Sequence, residues 1–95
     1  MYEHGLRLHG RYSTIFLLPN GGGPGRLGIA ATRKIGGAVR RNRAKRLVRE
    51  IFRRNKIAPG FDVVVVPKRA FLDASLAVVE SDYCRTLERQ LRRRR

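Results

Sequence analysis

Acidic residues are scarce in this chain: 7 Asp and Glu stand against 22 Lys and Arg, for a formal charge of +15 over 95 residues. Such an excess repels itself in the folded state unless an anionic partner compensates it. Nucleic acid is the partner expected of a domain this basic. The few carboxylates are also scattered singly. Only Glu80 and Asp82 come close together, and two residues apart on a helix their side chains diverge. Hydrolysis of a phosphodiester by protein groups calls for clustered carboxylates holding Mg²⁺, or for a His acid and base pair. His4 and His9 sit near the N-terminus without a matching constellation. If the protein takes part in RNA cleavage, something else is expected to carry the chemistry.

Cysteine is limited to Cys84. That excludes an intramolecular disulfide and a cysteine-based metal site, and it fits a reducing compartment. Long apolar runs are missing too: none approaches a membrane span, and the start MYEHGLRLHG has no signal-peptide apolar region. Binding to an anionic membrane surface requires an amphipathic helix whose apolar face is free to insert. Here the core should need the apolar residues. The expectation is a soluble, cytoplasmic protein with neither a membrane partner nor a small-molecule substrate. Its length allows one domain, 1–95, with a single modest core and no separate catalytic domain.

What is present divides into short periodic segments. RYSTIFLLP (11–19) is rich in β-branched and aromatic residues and runs into NGGGPG, a turn. RLGIAAT (26–32) places Leu27, Ile29 and Ala31 on one face and Gly28, Ala30 and Thr32 on the other, as a half-buried strand does. These two strands are expected to form an antiparallel hairpin, preceded by a short strand around Leu6 to Leu8. After Gly36 and Gly37 the period changes to about 3.6, predicting a helix over 39–55 that IAPG (57–60) stops at Pro59. FDVVVVP (61–67) reads as a strand buried on both faces, lying centrally or parallel to a neighbour. A last helix, capped by Asp73 or Ser75, presents Leu76, Val79, Tyr83, Leu87 and Leu91 along one side and ends in the basic tail 92–95. One sheet covered by two helices gives an α+β domain, a two-layer α/β sandwich.

The middle helix carries the sharpest functional signal. With successive residues 100° apart, Ala44, Leu47, Val48, Ile51 and Phe52 form an apolar stripe. Opposite lie Asn42, Arg46, Arg49 and Arg53, with Lys45 beside them and Arg41, Arg43 and Arg54 on the flanks, a cationic strip roughly 20 Å long. Solvated faces normally interleave charge signs. From Arg33 to Lys56 there are 11 basic residues and one acid, Glu50, placed to pair with Arg54 four residues on. Arginine suits bidentate phosphate contacts and base stacking. Asn42 reads equally as an amide for a base edge or sugar hydroxyl and as an N-cap. Gly36 and Gly37 either let RNA approach the backbone or simply turn the chain.

The run RKIGGAVRRNRAKRLVRE (33–50) closely resembles the signature of the bacterial ribonuclease P protein subunit, K-x-x-x-A-V-x-R-N-x-x-K-R-x-x-R-E. Lys34, Ala38, Val39, Arg41, Asn42, Lys45, Arg46, Arg49 and Glu50 match it. The strand RLGIAAT before it, PGFDVVVVPK after it and the closing helix follow the same arrangement, so the resemblance covers residues 5–91. It implies a ribosomal protein S5 domain 2-like fold with a left-handed βαβ crossover, although general chirality favours the right-handed form. It also implies a noncatalytic subunit of a ribonucleoprotein. Its partners are the catalytic ribonuclease P RNA, which cleaves with Mg²⁺ as cofactor, and precursor tRNA, from which the mature 5′ end is released. The RNA-binding residues implied are Arg33, Lys34, Arg40, Arg41, Asn42, Arg43, Lys45, Arg46, Arg49 and Arg53. A cleft for the single-stranded 5′ leader is assigned to Phe16, Arg41, Lys45 and Arg49; without the resemblance, Phe16 reads as core.

Two departures qualify the leader cleft. Family members usually begin with a basic segment and an aromatic-bearing helix that walls one side of it, and by the resemblance this chain is expected to start where that helix should be ending. Ala30 stands where the family commonly has a small hydroxyl residue. The competing expectation is a structural RNA-binding protein of ribosomal type, without a tRNA-processing role.

Overall fold

A computed structural model describes the backbone of residues 5–55 and 60–93, and side chains as far as residue 89. Its elements follow the order β1 (Leu6–His9), β2 (Ser13–Pro19), β3 (Leu27–Ile29), α1 (Ala38–Arg54), β4 (Phe61–Pro67) and α2 (Leu76–Arg93). Short 3₁₀ turns at Arg33–Ile35 and Arg69–Asp73 follow the two parallel strands.

The expected pairing of the strands at 11–19 and 26–32 does not form. The sheet order is β1-β2-β4-β3, so β4 separates β2 from β3. It runs antiparallel to β2, with Ile15 opposite Val65, and parallel to β3, with Ile29 opposite Val65. The physical reason lies in the valine run: a central strand needs two neighbours, and β2 already has β1 on its other edge. The hairpin is therefore β1 with β2. Its turn is built around Gly10, whose amide donates to the Ser13 carbonyl at 2.9 Å. Asp82 on α2 accepts from the Arg11 and Tyr12 amides, each at 3.1 Å, and a Cβ on Gly10 would lie 2.7 Å from its Oδ2.

Strand alternation then sorts the side chains. Ile15, Leu17, Val63 and Val65 are buried on the face that meets Ala44, Val48 and Ile51 of α1 and Val79, Tyr83 and Leu87 of α2. Leu47 and Phe52 of the predicted stripe are half-buried against the same core. The opposite face carries Arg7, Thr14, Phe16, Gly28, Val64 and Val66, and β4 is only half-buried on that side. Burial on both faces was too strong an expectation for it.

The helix ends refine the sequence reading. Gly37, not Asn42, is the N-cap of α1, so Asn42 stands inside the helix with its side chain exposed. Asn55 closes the other end; Pro59 lies outside the described residues. Ser75, not Asp73, caps α2, its Oγ accepting from the Val78 amide at 3.3 Å. The side chain of Leu91 and those of the basic tail lie outside the described residues.

Candidate nucleic-acid interface

The apolar stripe of α1 fixes which way its cations point. Because Ala44, Val48 and Ile51 face the core, Asn42, Arg43, Arg46, Arg49 and Arg53 are all exposed, while Arg41 and Lys45 are half-buried at the margins. Among the described residues, Arg41, Arg43, Lys45, Arg46 and Arg49 have no carboxylate within salt-bridge distance. Val39, 83% exposed, adds an apolar point to the first turn of this surface.

Glu50 does not pair with Arg54 as expected. Both its carboxylate oxygens accept from Arg53 Nη2 at 2.7 Å, one helical turn away. The hydrogen bond from Arg53 holds the Glu50 carboxyl below its ordinary pKa. Arg53 is thereby partly neutralised, which leaves the N-terminal two thirds of the strip as its most cationic part. Arg54 turns instead towards Glu80 of α2, at 3.6 Å.

Arg40 belongs to a different surface. It stands four residues before Ala44 and so lies near the buried side of the helix. Its Nε donates to the Ile35 carbonyl at 2.7 Å, and its side chain crosses Gly36 so closely that a Cβ there would lie 2.6 Å from Arg40 Cδ. Gly36 also has φ of +133°, a conformation that L side chains rarely adopt. Its glycine is thus explained by packing against Arg40, whereas a Cβ on Gly37 would meet nothing within 4 Å. Arg33 and Lys34, on the 3₁₀ turn after β3, join Arg40 around one basin.

Arg69 completes that basin and was missed by sequence reasoning. A signal for it existed. Arg33 and Lys34 follow β3, and Lys68 and Arg69 follow β4; parallel strands end at the same edge of a sheet, so the two basic pairs converge there.

The leader-cleft residues do not all gather at one place. Phe16 projects from the sheet face opposite the core, where the Arg7 guanidinium lies 5.8 Å from its ring centroid. The α1 cations sit on a helix packed beside β3, and β3 is two strands, about 10 Å, from β2. Among the described residues, Gly28 and the exposed Ala30 leave the β3 side of that face low and flat; Ala30 still donates its amide to Val65 at 3.0 Å.

Most described carboxylates already have structural work. Asp62 accepts from Asn20 Nδ2 at 2.9 Å and from the Arg26 amide at 3.1 Å; Glu80 is bound to Asn55, and Asp82 to the β1–β2 turn. Glu80 and Asp82 diverge as expected. No helix among the described residues is long and apolar enough to cross a membrane.

A family model described as Ribonuclease P matches residues 1–91. The "Ribonuclease P protein component" of Thermotoga maritima is 48% identical over 71 residues, which are 73% of this chain and 61% of that protein. The protein of the same name from Clostridioides difficile is 35% identical over 83 residues, 84% of this chain and 73% of its own length. A solved structure of the ribonuclease P protein from Thermotoga maritima superposes with a TM-score of 0.83 at 40% identity, covering 93% of this chain and 86% of that one. The chain spans about three fifths of the length of the Thermotoga relative matched in sequence. A sheet of order β1-β2-β4-β3 with a signature helix beside it, matched in both sequence and three dimensions, places this chain in the ribonuclease P protein family.

Proposed function

We propose that this protein is the noncatalytic subunit of a ribonuclease P holoenzyme. It docks on the catalytic RNA through the exposed strip of α1 and offers the open sheet face to the 5′ leader of precursor tRNA. The observation that carries this reading is the uncompensated cation cluster Arg41, Arg43, Lys45, Arg46 and Arg49, set opposite the core stripe. These charges crowd the N-terminal two thirds of α1, whose first turn holds no acidic residue. The helix dipole is positive at that end as well, so only an anion relieves the combined repulsion. Exposed Asn42 and Val39 supply a polar and an apolar contact within the same surface.

Phosphodiester hydrolysis in this holoenzyme uses Mg²⁺. The described residues of this chain do not fit a Mg²⁺ site: among them no three His, Cys, Asp or Glu side chains come together, and the paired carboxylates are committed to separate partners. The metal is therefore left to RNA and substrate. The protein's part is to lower phosphate repulsion between the two RNAs, and that benefit is greatest when Mg²⁺ and salt are dilute.

Cleavage of precursor tRNA by the catalytic RNA, measured with and without the protein across a Mg²⁺ series, tests this. The expected result is a protein-dependent gain that shrinks as Mg²⁺ rises. An equal rate at every concentration would overturn it.

A further inference from the structure

Two concave regions of the surface meet at Lys34 and Arg69. One, of ≈ 520 Å³, is lined by Arg7, Thr14 and Val66 and so continues the open sheet face. The other, of ≈ 640 Å³, lies past the ends of the parallel strands and is lined by Arg33, Gly36, Arg40 and Asp73. Lys34 and Arg69 line both.

The second basin is strongly cationic. Arg33, Lys34, Arg40 and Arg69 face one carboxylate, Asp73, which is 70% exposed and 3.8 Å from Arg40 Nη2, a pairing too loose and wet to neutralise the group. Arg40 is held in place by its bond to the Ile35 carbonyl, and Lys68 is diverted by donating its Nζ to the Gly10 carbonyl at 2.7 Å. Arg33, Lys34 and Arg69 are exposed and have no carboxylate within ion-pair range among the described residues. Concavity concentrates their field, and arginine forks favour phosphate oxygens. Because Arg40 lies near the buried side of α1, the basin is a separate surface from the Arg46 and Arg49 strip.

We infer that this basin binds a backbone phosphate of the single-stranded RNA that lies across the open sheet face, with Lys34 and Arg69 forming the step from one concavity to the next. The inference rests on the proposed reading of the sheet face as the leader surface. Continuity favours the leader over the catalytic RNA: the basin shares two residues with the sheet-face concavity and lies around α1 from the docking strip.

The test is the affinity of the reconstituted holoenzyme for precursor tRNAs whose leaders are lengthened one nucleotide at a time. In the holoenzyme the α1 strip is occupied by RNA, so dependence on leader length reports the sheet face and its continuation. Affinity should rise in a further step once the leader passes the sheet. Arg69→Ala and Arg33→Ala should each remove that step, a loss of roughly tenfold for one charge-assisted contact and larger than any loss with leaders too short to reach the basin. Arg69→Lys should keep most of the salt dependence. An equal loss at every leader length would overturn the proposal, as would a loss of catalytic-RNA assembly with the leader series intact. Failure of the unsubstituted protein to stimulate cleavage would instead remove the underlying reading, and this one with it.

Discussion

Asn55 and Glu80 fasten the end of α1 to α2: Asn55 Nδ2 donates to Glu80 Oε2 at 2.6 Å and to the Ile51 carbonyl at 2.9 Å. The Cys84 thiol donates to Asn55 Oδ1 at 3.3 Å, so the single cysteine serves this junction. Asn55→Ala leaves a carboxylate only 19% exposed with little beyond its loose contact to Arg54. The expected cost is about 1 to 3 kcal/mol in urea unfolding. A double-mutant cycle with Glu80→Gln should show coupling; additive effects would mean that the contact contributes nothing of its own.

The two faces of α1 should separate cleanly in mutants. Ile51 is 2% exposed, so Ile51→Ala should destabilise the fold by about 2 to 5 kcal/mol. Arg46→Ala and Val39→Ala should leave stability within about 0.5 kcal/mol. Arg46→Ala should also weaken binding of the catalytic RNA and reduce its salt slope by about one phosphate. Thermal melts and RNA titrations at several salt concentrations check both, and the opposite pattern would mean that the faces are inverted.

Asp62 makes the fold sensitive to acid. The hydrogen bond from Asn20 foremost, then those from Arg26, hold its carboxyl below the ordinary value despite partial desolvation. A depressed folded pKa stabilises above the unfolded value, about 4, and that stabilisation is lost as pH falls through the folded value. Asp62→Asn should therefore differ from the parent in urea midpoint near neutrality, and the difference should shrink below about pH 4. A gap that stays constant down to the acid transition would contradict this.

Tyr83 buries a hydroxyl that has no hydrogen-bond partner among the described residues. Burial also pushes the phenol well above its usual pKa. Tyr83→Phe keeps the ring in the core and removes the unsatisfied oxygen. Stability should be unchanged or raised by up to about 1 kcal/mol; a clear loss would reveal a partner for that oxygen.

Much of this architecture was legible because α1 and β4 have strong periodic patterns. Ala44, Val48 and Ile51 fixed the helix face, and the valine run marked the central strand. The false hairpin arose because strands adjacent in sequence usually pair, and nothing local in RLGIAAT says that its partner lies beyond the next helix. The valine run itself carried the correction, since a central strand claims two neighbours. The loop from Asn20 to Arg26 is fixed by Asp62, some 36 residues beyond Arg26 in the chain, and such a contact leaves no periodic trace. Arg69 was hidden for a related reason: its significance comes from the parallel end of β3, not from its own neighbours in the chain.

That late central strand also governs the order of assembly. β3 has no other neighbour among the described strands, and β2 must wait for residues more than forty positions away before its second edge is filled. Closing such long loops costs entropy before any pairing repays it. A nascent chain that has not yet emitted Phe61–Pro67 holds at most the β1–β2 hairpin and a charged helix whose apolar stripe has no sheet to cover. Synthesis must run past those seven residues before the four described strands can join in one sheet.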